Sequence, residues 1–414
     1  MPPLTPTISR ETPFKIDLPD SQLSYLQKKL SLTTLPDELP ESGLDYGVPL
    51  SDMQRLLARW SEGYDWRKHE AELNADLPQF TRGIDVAGFG TLEIHYVHKK
   101  SITNTLKQVL AFSGPGLFIE VRKILPLLVE TSKDHPSFHV VALSLPGYGF
   151  SEAPRNKGFS LAQYAEVGHK LMLALGYDEY VTQGGDWGSL ITRKMASLYG
   201  PKYHKAWHTN LPIRPLLFLS HIISSLPIPF LEYTPREKSG LENTLRYYTQ
   251  GSAYFAVQSK EPQTLGYSLA DSPSGLLAWI YDKLRRVSDN YPWDDDEVLT
   301  WVSLHLFSRA GPTAALRIYY EVVRSFPEGS SILTMEERTS IPVGHSYFPK
   351  EIISLPSRWF SSPYLVFESQ HESGGHFAAY EKPVELVDDL RKMFGRGGGA
   401  FNVVSSSDGY LSPS

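Results

Sequence analysis

Tyr180-Val-Thr-Gln-Gly184-Gly185-Asp186-Trp187-Gly188-Ser189 is the stretch on which the fold turns. A short strand-like run meets two glycines, an aspartate, a tryptophan and a third glycine. A helical pattern from Leu190 to Leu198 follows. A polar residue among glycines, between strand and helix, is the pattern of a nucleophile elbow, with Asp in place of Ser. Such a turn is sharp and strained, so its neighbours must be small. The N–H groups opening the helix favour negative charge there. The plainer alternative is an ordinary strand-to-helix turn whose Asp caps the helix, and the motif alone leaves it open.

The surroundings of this stretch have a regular rhythm. Val109 to Phe112 is an apolar run ending in Ser113-Gly114-Pro115-Gly116, and Phe138 to Ser144 is another ending in Leu145-Pro-Gly147-Tyr-Gly149. A helical pattern, Ser160 to Leu175, separates the second run from Tyr180. Short apolar strands alternating with helices predict a mostly parallel sheet, an α/β fold. Its site belongs at the carboxyl ends of the strands, where each of these turns falls.

Further out, residues 1–100 read as an N-terminal extension with Pro-rich turns and amphipathic helices. Ser21 to Leu30 is one helix, and Ser51 to Trp60 another with Ser51 as N-cap. Leu92 to Val97 alternates like a strand. The core's first part spans 101–211. Residues 212–330 break the alternation and predict a helical lid. The core resumes over 331–394 with Ile341, Pro363 to Glu368 and a last helix, Val384 to Phe394. The Gly- and Ser-rich tail, 395–414, predicts disorder.

Composition narrows the function. Of 414 residues, 41% are apolar and 21% charged, which suits a globular chain with a real core. A net charge of −6 gives no footprint for nucleic acid. With no cysteine, disulfides, thiolate catalysis and Cys-based metal sites are excluded, and a cytoplasmic, soluble protein fits. The start of the chain lacks a secretory pattern. Four prolines interrupt the apolar window Leu211 to Leu231, so it predicts a lid segment rather than a span. A peripheral membrane contact of this window, and a homodimer, both stay open.

Two residues downstream complete a catalytic order of nucleophile, acid and histidine. Glu351 follows an apolar strand in Tyr347-Phe-Pro-Lys-Glu351, and His376 sits in Gly374-Gly-His376-Phe-Ala-Ala between a strand and the last helix. His371 competes locally among 13 histidines, but His376 has the glycines that let a loop project a side chain. An Asp nucleophile attacks sp³ carbon and forms an alkyl-enzyme ester. His376, oriented by Glu351, then activates water against that ester. The resulting oxyanion needs N–H donors, for which Trp187 and Gly114 in the Ser113–Leu117 loop are the candidates. Epoxides and haloalkanes suit this chemistry better than simple esters. No metal site and no cofactor are expected.

From these motifs the chain resembles the epoxide hydrolases, in their microsomal-type branch with fungal members, on the α/β-hydrolase fold. Gly184-Gly-Asp-Trp-Gly-Ser, Leu145-Pro-Gly-Tyr-Gly-Phe-Ser, Phe348-Pro-Lys-Glu, Gly374-Gly-His-Phe-Ala-Ala and Ser272-Pro-Ser-Gly-Leu-Leu-Ala-Trp-Ile carry the resemblance across roughly residues 10–394. It implies Asp186 as nucleophile, Glu351 as acid and His376 as base, with a small-molecule epoxide and water as reactants. It also implies two lid tyrosines that hydrogen-bond the epoxide oxygen. Gly251-Ser-Ala-Tyr254 matches the first and Ile318-Tyr319-Tyr320-Glu321 the second, with Tyr319 favoured by the register of Glu321. A Tyr O–H stays neutral until ring opening generates an alkoxide.

One departure stands out. Where the family has His-Gly-x-Pro, this chain reads Phe112-Ser-Gly-Pro-Gly116-Leu, two residues short. Three alternatives remain at this point: a haloalkane dehalogenase, which shares an Asp nucleophile, a catalytically impaired binder on the same scaffold, which the short loop motivates, and a Ser esterase using Ser189 or Ser113. Detoxification and secondary metabolism are both open as roles.

Overall fold

The computed structural model describes residues 10–102, 107–112, 116–213, 232–327, 338–405 and 409–411. The shortened loop 113–115, including Gly114, and most of the window Leu211 to Leu231 lie outside the described residues.

Among the described residues, nine strands form one sheet: β1 (Thr12–Phe14), β2 (Gln79–Val86), β3 (Gly90–Lys99), β4 (Lys107–Phe112), β5 (Phe138–Leu143), β6 (Tyr180–Gly184), β7 (His204–Thr209), β8 (Val343–Tyr347) and β9 (Leu365–Gln370). Their order is β1-β2-β3-β5-β4-β6-β7-β8-β9. The four from β1 to β5 are joined antiparallel, and all pairs from β5 through β9 are parallel. This is the α/β-hydrolase fold, with a mostly parallel sheet as its rhythm predicts.

The chain leaves β4 for β5 on one side and later returns to β6 on the other. The carboxyl ends of β4 and β6 therefore flank the point where strand order reverses, and a crevice opens at such a point. β5 and β6 are buried along their whole length, as a sheet covered on both faces requires. Leu161–Ala174 and Trp187–Tyr199 pack together on one side of the sheet, and Pro383–Phe394 packs against β8 and β9.

Helices between Pro235 and Ser325 form the lid. The extension is clamped to it by charge. Lys29 Nζ lies 2.6 Å from Asp271, Arg59 Nε lies 2.7 Å from Asp296, and Arg55 and Arg285 pair with Asp295 and Asp52. Trp60 and Leu56, on the same helix as Arg55 and Arg59, are fully buried.

Two local expectations need correction. The second helix starts at Leu50 with Pro49 as N-cap, so Ser51 lies inside its first turn. Pro49 fixes the extended entry, and the helix needs no side-chain cap. In the tail, the described residues 395–405 and 409–411 do not behave as their composition suggests. Ala400 is fully buried and bonds Met393 O at 3.0 Å, and Tyr410 is buried with the Arg396 guanidinium over its ring at 4.0 Å. A Cβ at Gly398 would meet Lys392 O at 2.1 Å. These glycines serve close packing, which a compositional reading takes for flexibility.

Candidate active site

Asp186 occupies the turn between β6 and Trp187–Tyr199 at φ +47°, ψ −128°, a strained conformation for a non-glycine residue. A Cβ at Gly184 would come within 2.4 Å of Gly188 O, and one at Gly185 within 2.8 Å of the Asn210 side chain. The flanking glycines are thus demanded by close approach, as the elbow reading requires.

Oδ1 of Asp186 accepts the Trp187 N–H at 2.6 Å, and Oδ2 lies 2.8 Å from His376 Nε2. Across the same ring, His376 Nδ1 lies 2.5 Å from Glu351 Oε1. That oxygen also accepts the Ile352 N–H at 2.7 Å, and the Asn210 amide approaches Oε2 at 3.5 Å. Glu351 is 3% exposed. The backbone holds the histidine as well, with its N–H bonded to Val287 O at the end of a lid helix. Three carboxyl-end loops of parallel strands thus converge on one buried line of groups.

Burial alone would pull the His376 pKa down. The charge of Glu351 and the hydrogen bonds that the ring donates to both carboxylates outweigh it and hold the imidazole well above its usual value. His371, the competing histidine, bonds Asp389 at 2.6 Å and stacks on Phe348 at 4.5 Å, so it braces β9 against the last helix.

Tyr254 on the helix Ala253–Lys260 and Tyr319 on the helix Arg317–Ser325 both line the cavities above Asp186. Their ring centroids are 6.1 Å apart, and Tyr319 packs edge-on against Trp187 at 4.8 Å. Burial, with Asp186 nearby, raises both phenols above the usual range and keeps them protonated. Tyr320 points elsewhere, with the Arg324 guanidinium over its ring at 4.7 Å. Two lobes meet at Asp186, Tyr254 and Tyr319. One of about 80 Å³ contains His376, and an apolar one of about 250 Å³ is lined by Trp187, Tyr247, Phe255 and Val323.

Sequence reasoning missed three residues. Asn210 follows β7 and had no motif to mark it. Glu120 is 3% exposed, and its Oε1 has no hydrogen-bond partner among the described residues. Burial, opposed by His376, pushes its carboxyl well above the ordinary range. A charge inside the apolar run Leu117-Phe-Ile-Glu120-Val was the available signal. Tyr247 lies 2.8 Å, oxygen to oxygen, from Tyr254.

The fold, with this aspartate–histidine–glutamate line at its strand ends, defines an α/β-hydrolase. The family model for the epoxide hydrolase N terminus matches residues 11–121, and that for the alpha/beta hydrolase fold matches residues 114–222. A Stigmatella aurantiaca protein carrying an epoxide hydrolase name is 37% identical, over 92% of this chain and 84% of its own length. Epoxide hydrolase 1 of Sus scrofa is 33% identical over 92% and 88%. The solved Aspergillus niger epoxide hydrolase superimposes with a TM-score of 0.79 at 34% identity, covering 92% of this chain and 95% of that one. The chain belongs to the epoxide hydrolase family, and the enzyme class it expresses is that of hydrolases acting on epoxides. Among the described residues, no helix is long and apolar enough to cross a membrane.

Proposed function

We propose that the enzyme converts an epoxide to a vicinal diol in two steps on Asp186. Oδ2 attacks a ring carbon, the C–O bond of the ring breaks, and Tyr254 and Tyr319 hydrogen-bond the departing oxygen. Oδ1 becomes the ester carbonyl and stays on the Trp187 N–H. The observation that carries this reading is the contact of His376 with both carboxylates, 2.8 Å to Asp186 and 2.5 Å to Glu351.

That contact also times the second step. While Asp186 is ionised, two carboxylates hold His376 in its protonated form. Esterification removes one of those charges, so the imidazole becomes a stronger acid and releases its proton to solvent, from which it is regained once the Asp186 carboxylate is freed. Neutral His376 then takes a proton from water, which attacks the ester carbonyl. The Trp187 N–H meets the oxyanion, a donor worth roughly 3–4 kcal/mol in comparable sites. Gly114 is the second donor we propose.

Styrene oxide with wild type and Asp186→Ala tests the mechanism. Diol formation by wild type and its loss in the variant are expected. Full activity in Asp186→Ala would sink the proposal. Mass spectrometry of the Asp186 peptide separates a working loop at 113–116 from a stalled one: the stalled enzyme accumulates ester and makes no diol.

A further inference from the structure

Tyr254 does not stand alone above the nucleophile. The segment Tyr247–Gly251 forms a π-helical turn between the helices Pro235–Arg246 and Ala253–Lys260. Such turns insert one extra residue and recur at functional sites, because they re-aim the side chains around them. Here the turn brings the Tyr247 hydroxyl to 2.8 Å from that of Tyr254, with ring centroids 6.4 Å apart. Tyr247 also lines the larger lobe, beside Asp186 and Tyr319. Lys283 Nζ lies 4.7 Å from the centroid of the Tyr254 ring.

A phenol has one proton and two lone pairs. When the Tyr254 proton faces the epoxide oxygen, its own oxygen is free to accept, and Tyr247 is within reach to donate. Resting on the reading of Tyr254 as a proton donor, we propose that Tyr247 is a third functional tyrosine, a positioning residue that donates its O–H to Tyr254 and stabilises it as its proton leaves.

The atoms balance. The Asp186 Oδ2–carbon bond forms, the ring C–O bond breaks, and the freed oxygen takes the Tyr254 proton. The phenolate left behind is held by the Tyr247 O–H, with the Lys283 ammonium over its face. Hydrolysis of the ester releases one proton from water, which restores the phenol. An isolated phenolate in this apolar lobe would be costly without such a donor. The hydrogen bond therefore strengthens in the transition state, when charge develops on Tyr254.

A double-mutant cycle on alkylation decides it. Single-turnover reaction with styrene oxide, quenched and read as the mass of the Asp186 peptide, gives the alkylation rate of wild type, Tyr247→Phe, Tyr254→Phe and the double variant. Tyr247→Phe keeps the ring and its packing. It is expected to slow alkylation about fivefold to tenfold, the effect of one lost hydrogen bond to a developing charge. Hydrolysis of the preformed ester should stay at its wild-type rate. In the Tyr254→Phe background, Tyr247→Phe should change alkylation by less than about twofold, because the group it acts through is gone. Equal slowing in both backgrounds would overturn the proposal. So would an unchanged rate in Tyr247→Phe alongside a slow Tyr254→Phe. An unchanged rate in Tyr254→Phe itself overturns the donor reading beneath it, and the two failures are told apart by which single variant keeps its rate.

Discussion

Asp186 and Glu351 grip one imidazole from opposite sides, Oδ2 of the first at 2.8 Å from Nε2 of His376 and Oε1 of the second at 2.5 Å from Nδ1. The proposed nucleophile and base thus share a hydrogen bond, and on the proposed mechanism chemistry at one resets the other. Removing the base should therefore spare the first step and stop the second. His376→Gln is expected to form the Asp186 ester and lose at least about 10³-fold in turnover, in line with the loss of a general base that also orients water. Intact-mass measurement after mixing with styrene oxide checks this. Steady diol production by the variant would contradict it.

The same grip sets a pH dependence of stability. The folded pKa of His376 lies above its unfolded value, because the two carboxylates outweigh burial. Its contribution is therefore fully present below the unfolded value, about 6.5, and is lost as pH rises through the folded one. Asp186→Asn removes one of the charges and lowers the folded pKa. The alkaline decline attributable to His376 should then begin at lower pH. Thermal melts of both proteins across pH 6–10, with NMR titration of His376, measure the shift. Coincident titrations would show that Asp186 does not hold the proton on His376.

The two lobes predict selectivity. Val323 lines the 250 Å³ lobe and does not line the lobe that contains His376. Val323→Trp fills that space with an indole while leaving the catalytic line intact. Its kcat/KM for styrene oxide is expected to fall at least about tenfold relative to that for propylene oxide, since overpacking and lost burial act on the phenyl group alone. Equal losses on both substrates would place the phenyl ring elsewhere.

Much of this site was legible because its motifs have steric causes. Gly184 and Gly185 report an elbow since a Cβ at either would collide with Gly188 or Asn210. The strand runs before Asp186, Glu351 and His376 report a parallel sheet, and a parallel sheet gathers its carboxyl ends. Tyr254 and Tyr319 were different. Nothing local separates them from the rest of 23 tyrosines, and only the family resemblance selected them. Tyr247 was illegible because a π turn, set by packing between two lid helices, decides where its hydroxyl points. The tail misled because glycines that allow close packing at Gly398 look, in composition, like glycines of a linker.

Glu120 offers a last test, of a group no motif marked. It is buried, and among the described residues one of its carboxyl oxygens has no hydrogen-bond partner. Burial raises its pKa well above the usual carboxyl value. The native state therefore keeps a proton that the unfolded chain releases, so stability falls as pH rises from the unfolded carboxyl value toward the folded one. Glu120→Gln cannot ionise and keeps nearly the same shape. It should unfold at higher temperature than wild type at pH 8, by a margin on the order of 1 kcal/mol or more, and the margin should shrink as pH falls toward 5. Calorimetry at four or five pH values measures the slope. A difference independent of pH would mean that Glu120 is ionised throughout, with His376 supplying the charge that keeps it so.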